Sequence, residues 1–411
     1  MSEFPTANAE DYGFSQERLD RIAPFLSSYL EQQRLPNVGV AVLRHGHIVY
    51  EHFAGRSSFD GGFKPDKDSI YRIYSMTKPI TSIGLMMLYE QGKCQLYDPV
   101  SKFIPAFKKM NVFVSGTPTE YETRPVDREI TIHDLLTHQS GLTYDFLMES
   151  PVDAIYRNQK INGARSEGFN LADLCDKIGE LPLLFSPGER WNYSVSTDVC
   201  GRLIEVISGK PLDQYFDEEI LTPLQMNDTM FTIDGDNLKR LTHNYARDPI
   251  NGKTQLLDSP DKTIYRTGRR FLSGGGGLLS TMNDYLRFTE FLRLGGQLDG
   301  RRLLSPLTLN MMRSNHLPNN ETLVTRASGS FSEVSSAGTG FGLGFSVVTN
   351  PVQTATVSSL GNYAWGGLAT TFFWNDPEKD MNVVFFTQLM PSRTYPLSSQ
   401  IRQLIYSALI D

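Results

Sequence analysis

The chain has 411 residues, 40% hydrophobic and 21% charged, with a formal net charge of −7 at pH 7. That length supports a large core and roughly two or three domains, and the composition is that of an ordinary globular protein. An acidic balance argues against a general nucleic-acid or anionic-membrane partner, because both need a basic face.

In chain order, the opening segment "MSEFPTANAEDYGFSQERLDRI" lacks the basic residues and apolar run of a secretory signal. No stretch reaches the ~18 apolar residues of a membrane span. Three cysteines, Cys94, Cys175 and Cys200, have no C-x-x-C spacing. They read as reduced, buried thiols, so the expected location is cytoplasmic. "SQERLDRIAPFLSSYLEQQ" repeats apolar residues at helical spacing (Leu19, Ile22, Leu26, Leu30) and predicts a first helix. "VGVAVLRHGHIVYEHFAG" is valine-rich on both sides of a short turn and predicts a β-hairpin. "YRIYSMTKPITSIGLMMLYEQGK" predicts an apolar helix that opens near Ser75 and ends near Gly92.

From about residue 95 to 260, helical patches ("TIHDLLTHQSGL", "LADLCDKIGELPLL", "STDVCGRLIEVISG") alternate with Pro- and Gly-marked loops. "STMNDYLRFTEFLRLGG" reads as a helix with a Thr281/Asp284 capping box, ended by Gly295 and Gly296. Residues 318–340 are polar and Ser/Gly-rich, the signature of a mobile or functional loop. The tail holds strand candidates "FGLGFSVV", "TTFFWN" and "MNVVFFTQ" before a terminal helix "LSSQIRQLIYSALI". Strands at both ends with helices between predict an α/β (α+β) fold. Its mostly antiparallel sheet is built from both termini and flanked by helices, with a helical region inserted. The expected domains are residues 1–94 plus 262–411 for the sheet and 95–261 for the helices.

The chemistry concentrates at Ser75 and Lys78. Three residues apart at a helix start, they fall on one face. A serine hydroxyl attacks only when a base takes its proton, and a lysine serves as base only if burial or a neighbouring cation lowers its affinity for protons. The positive end of the helix favours an oxyanion beside Ser75, and Pro79 is tolerated in the first turn. S-x-x-K also arises by chance: Ser259-Pro-Asp-Lys262 is a second copy, in a turn that leads no apolar helix.

With that motif, "LLTHQSGL" (135–142), "SPGERWNYS" (186–194), "SGGGGLLSTMNDYLRF" (273–288) and "WGGLATTFF" (365–373) follow in order. Together they resemble the serine β-lactamase and penicillin-binding-protein superfamily, and within it the class C-like esterases called family VIII carboxylesterases. The resemblance runs over residues 15–411 and implies a β-lactamase/transpeptidase-like fold. It also implies a catalytic Ser75 with Lys78 beside it and Tyr193 as partner base. A phenol with a reference pKa of ~10 is a poor base at neutral pH. A lysine cation beside it favours phenoxide, so Lys78 and Tyr193 can share one proton. The family's strand triad falls on Trp365-Gly366-Gly367, whose glycines let a substrate lie along the strand. The resemblance places the oxyanion hole at the N–H groups of Ser75 and Leu368.

Two positions depart from the penicillin-recognising pattern. Tyr-x-Asn reads Tyr193-Ser194-Val195, and the usual strand cation is replaced by Trp365. Both changes favour an uncharged, apolar acyl substrate. Tyr144 and Phe146 are expected to line the acyl pocket, and His138 and Ser140 to hold the adjoining helix-to-loop junction.

There is no G-x-S-x-G. The Gly274–Gly277 run is followed by no G-K-[ST], and reads as a flexible lead into a helix rather than a phosphate loop. His45-Gly-His47 and His133/His138 are supported as a metal site by no H-E-x-x-H or C-x-x-C, and read as turn and capping histidines. The expected function is a serine carboxylesterase for short- to medium-chain esters, needing no cofactor and taking a small-molecule ester as its partner. A β-lactamase or D-alanyl-D-alanine peptidase, an acyltransferase of the same fold and a non-catalytic scaffold are the alternatives. The sequence leaves the oligomeric state open.

Overall fold

Strand β1 (Asn37–Arg44) is buried along its whole length, and β2 (His47–Gly55) returns beside it through the His45–Gly46 turn. A run as apolar as "VGVAVL" needs cover on both faces, and the rest of the chain supplies it. The computed structural model describes residues 4–161, 163, 166, 168–329 and 337–411. Five strands from the C-terminal part complete the sheet: β3 (Thr339–Phe341), β4 (Ser346–Val348), β5 (Tyr363–Gly367), β6 (Thr371–Asp376) and β7 (Met381–Phe386). The order is β3-β4-β5-β6-β7-β1-β2 and every pair is antiparallel. Both ends of the chain therefore meet where β1 pairs β7, with Gly39 opposite Phe386 and Arg44 opposite Met381.

Alternation along these strands sorts two cores. Val38, Val40, Val42, Trp374, Val383 and Phe385 face helices α1 (Gln16–Leu19) and α2 (Ile22–Glu31) and the C-terminal helix. Ala41, Leu43, Phe373, Val384 and Phe386 face the larger core, which holds helix α3 (Thr77–Glu90). Between them in sequence come α4 (Ile132–Leu136), α5 (Pro151–Asn158), α6 (Leu171–Gly179) and α7 (Ser196–Ser208). Helices α8 (Met282–Arg293) and α9 (Leu397–Ser407) complete the set used below. Helix α8 lies across β7 and β6, and α3 packs along α7. Among the described residues no helix is long and apolar enough to cross a membrane.

The expected α/β architecture, with its antiparallel sheet drawn from both termini, is the observed one. Several elements differ in detail. The first predicted helix breaks at Asp20–Arg21 into α1 and α2, and its apolar positions stay buried across the break. "FGLGFSVV" divides into β3 and β4, because Gly344 turns the chain at φ +93°, where a Cβ would meet Ser82 Oγ at 2.2 Å. Thr281 caps α8 by accepting the Asp284 N–H at 3.2 Å. The Asp284 carboxylate turns instead to the Asp228 N–H and Thr229 hydroxyl, so only half of the expected box forms. In the polar stretch 318–340, Leu323–Arg326 is a short helix, and the Trp191 N–H donates to Arg326 O at 2.9 Å. Residues 330–336 of that stretch lie outside the described residues. Cys94, Cys175 and Cys200 are free and buried.

Candidate active site

Ser75 is not on α3 itself. It sits in a single 3-10 turn, Tyr74–Met76, that feeds the helix at Thr77. Tyr74 adopts φ +43°, a left-handed conformation that is costly for a side chain of this size and needs support from its surroundings. That support is visible on several sides. The Asn244 amide donates to Tyr74 OH at 2.8 Å, Tyr285 OH donates to Met76 O at 2.9 Å, and the Ile73 N–H donates to Leu278 O at 3.2 Å.

Lys78 and Tyr193 converge on this turn from different elements. Tyr193 OH lies 2.6 Å from Ser75 Oγ and Lys78 Nζ lies 3.3 Å from it. The ammonium also sits 4.4 Å from the centre of the Tyr193 ring, in cation–π range. Exposure falls from 8% at Ser75 to 2% at Lys78 and 1% at Tyr193, so the serine is the rim of this group and the other two its floor. Lys78 Nζ donates at 2.6 Å to Gly275 O and at 3.0 Å to Tyr144 OH. Tyr144, expected only as a pocket wall, therefore also touches the lysine, and it stacks on Phe146 with centroids 4.7 Å apart.

The walls are aromatic. Trp365 lies 5.7 Å from Tyr193 and 5.3 Å from Phe341, and His138 packs against Trp191, Tyr193 and Phe341. Burial, and then the neighbouring Lys78, hold the His138 imidazole well below its ordinary range, so it is neutral. His138 and Ser140 do tie the junction after α4 to the start of α7. His138 Nδ1 lies 3.3 Å from Ser194 Oγ, and Ser140 Oγ and Ser194 Oγ lie 2.8 and 2.7 Å from Ser196 Oγ. Val195 is buried at the N-cap of α7, and its N–H donates to Thr143 O at 3.3 Å.

Strand β5 brings Trp365, Gly366 and Gly367 alongside the serine turn. Gly367 passes so close that a Cβ would stand 2.3 Å from Ile73 O and 2.3 Å from Thr371 Oγ1. Leu368 follows it, partly buried, at the turn into β6.

The sequence reading missed Asp198 and misjudged the glycine run. Ser273–Gly277 is a tight turn, with the Gly277 N–H on Ser273 O at 2.9 Å, and not a flexible lead. Asp198 Oδ1 accepts from Ser273 Oγ at 2.5 Å and from the Gly275 N–H at 3.0 Å. An acid five residues beyond Tyr193 was the available signal, but only folding sets it against residues 75 positions later.

A Beta-lactamase family model matches residues 22–404. The chain belongs to the Beta-lactamase family. Protein Rv1367c of Mycobacterium tuberculosis is 34% identical over 340 residues, 82% of each chain. Esterase EstB of Burkholderia gladioli is 26% identical across 98% of each. Two solved structures have the same fold. EstCE1, described as a hydrolase with promiscuous acyltransferase activity, superposes with a TM-score of 0.77 at 23% identity, covering 96% of this chain and 98% of its own. Simvastatin synthase LovD from Aspergillus terreus, in its unliganded selenomethionyl form, superposes with a TM-score of 0.79 at 21% identity over the same shares.

Proposed function

We propose that this Beta-lactamase family member is a serine carboxylesterase that cleaves short- to medium-chain esters through an acyl-enzyme on Ser75. The observation that carries the reading is Ser75 Oγ held 2.6 Å from a phenol and 3.3 Å from an ammonium inside an aromatic wall. Similarity to EstB supports the ester chemistry.

In this mechanism Ser75 Oγ attacks the ester carbonyl carbon as its proton passes to the Tyr193 oxygen, which the Lys78 cation keeps acidic enough to serve as phenoxide. The carbonyl oxygen takes the negative charge and is held by the Ser75 and Leu368 N–H groups. Collapse breaks the bond to the alcohol oxygen, which collects the proton from Tyr193. Water repeats the sequence in reverse and releases the acid. Trp365, Gly366, Gly367, Tyr144, Phe146 and Val195 shape the acyl side. Three buried thiols without a disulfide fit a reducing compartment, in keeping with a cytoplasmic enzyme.

The test is a series of p-nitrophenyl esters from acetate to dodecanoate, run beside nitrocefin, with Ser75→Ala and Ser259→Ala as controls. Ester turnover lost in Ser75→Ala and kept in Ser259→Ala is expected. Substantial turnover in Ser75→Ala removes the mechanism. A second reading, acyl transfer to an alcohol, is favoured by the acyltransferase activity named for EstCE1. Adding an alcohol to the assay and measuring the new ester against free acid separates the two.

A further inference from the structure

The carboxylate of Asp198 stands in the first turn of α7, where it could have capped its own helix. It turns away instead. Oδ1 takes both the Ser273 hydroxyl and the Gly275 N–H, and among the described residues Oδ2 has no hydrogen-bond partner. Gly275 then gives its carbonyl to Lys78 Nζ at 2.6 Å. One residue thus links a buried acid, through its N–H, to the buried ammonium, through its C=O. The junction admits only glycine: a Cβ on Gly275 would stand 2.6 Å from Asp198 Oδ2 and 2.9 Å from Tyr144 OH. Gly274 is fixed as well, its carbonyl accepting from Thr81 Oγ1 at 2.7 Å, one turn after Lys78.

We infer that Asp198 is a positioning residue for Lys78, an ionised counter-charge that also locks the Gly275 carbonyl onto the ammonium. The inference rests on the proposed esterase mechanism. A buried charge without an opposite partner is expensive, and both groups here are buried. Burial is the strongest influence on Asp198 and raises its affinity for protons above the ordinary carboxylate range; the Ser273 hydroxyl, the Lys78 cation, the Gly275 N–H and the Arg269 cation work against it and favour the carboxylate. The groups facing Asp198 are the Lys78 and Arg269 cations and the Cys175 and Cys200 thiols. Facing Lys78, among the described residues, stand Tyr144, Tyr193, neutral His138 and Asp198 itself. Asp198 brings a carboxylate to this group. Its role is to keep Lys78 charged in the resting enzyme, so that Tyr193 and not the lysine takes the serine proton.

Asp198→Asn tests this, because the amide oxygen still accepts from Ser273 and Gly275 while the charge is gone. A nearby anion favours the form of the Lys78–Tyr193 pair that holds one proton more. Removing it moves the acid limb of the kcat/KM–pH profile to lower pH, by about half a unit or more, with kcat falling at least ~10-fold. A purely structural clip leaves the limb in place. An unmoved limb, or one that moves up, overturns the inference. Should Asp198→Asn not fold, Ser273→Ala carries the test: it strips one donor from the anion, which then protonates at higher pH. Activity on the acid side is then lost at higher pH than in the natural protein, and a superimposable profile overturns the inference. Loss of turnover in Ser75→Ala, measured alongside, shows whether the esterase reading itself stands.

Discussion

Replacing Tyr193 with Phe isolates the proton-transfer unit. The ring keeps its contacts with Trp365, Trp191, Tyr144 and His138, and only the hydroxyl 2.6 Å from Ser75 Oγ is lost. The fold should lose ~1 kcal/mol, the net worth of one buried hydrogen bond. Among the described residues the other side chain hydrogen-bonded to Ser75 Oγ is Lys78, whose Nζ as an ammonium donates and cannot accept the proton. General base catalysis is worth ~10²–10⁴-fold, which corresponds to about 2.7–5.4 kcal/mol in the barrier. Lys78→Ala should cost a similar factor, because Tyr193 loses the cation 4.4 Å from its ring and Gly275 O loses its donor. The double variant should be little worse than the poorer single one, since groups that act as a unit are non-additive. The assay is kcat on p-nitrophenyl butyrate for all four proteins, with circular dichroism to confirm folding and fluorophosphonate labelling of Ser75 to follow acylation alone. Fully additive losses, multiplying to ~10⁴-fold or more, refute the shared-proton reasoning.

Val195→Asn with Trp365→Lys should raise ampicillin turnover relative to p-nitrophenyl butyrate, measured as a ratio of kcat/KM values, and an unchanged ratio contradicts the specificity argument. The pair should also lower stability by ~3–5 kcal/mol, the scale of losing a buried indole, because Trp365 is wedged between Tyr193 and Phe341. Asp284 supplies a pH-dependent prediction that involves none of the groups on Ser75. Burial pushes its carboxyl up from an ordinary 3.8 to about 7, against the opposing Thr229 hydroxyl and Asp228 N–H. The folded state therefore holds a proton that the unfolded chain releases between these values, so this group's contribution to stability falls as pH rises through that window. Asp284→Asn should gain stability over the natural protein as pH goes from about 4.5 to about 7.5, by as much as ~3 kcal/mol; parallel Tm curves would show that Asp284 is not the source.

The sequence by itself determined the valine hairpin, the terminal strands, the helix leading from Ser75 and the order of the motifs. Each rests on a local signal: period-2 or period-3.6 apolarity, a turn residue, a cap. The Ser75–Lys78–Tyr193 grouping was legible for a different reason, since the motifs around those residues together resemble a known family. Tertiary structure alone decided three things. It put Ser75 in a 3-10 turn held by Tyr74 at positive φ rather than on the helix, because β5 and the Leu278 segment fix the backbone there. It drew Tyr144 onto the lysine, since the space beside Gly275 has room for a phenol oxygen and not for another side chain. It joined Asp198 to the glycine turn 75 residues later, so a stretch that reads as flexible is a rigid acceptor for Lys78. A glycine run looks alike in sequence whether it is loose or pinned. The difference lies in which buried donors and acceptors the rest of the fold brings against it, and a buried carboxylate and an ammonium must both be satisfied there.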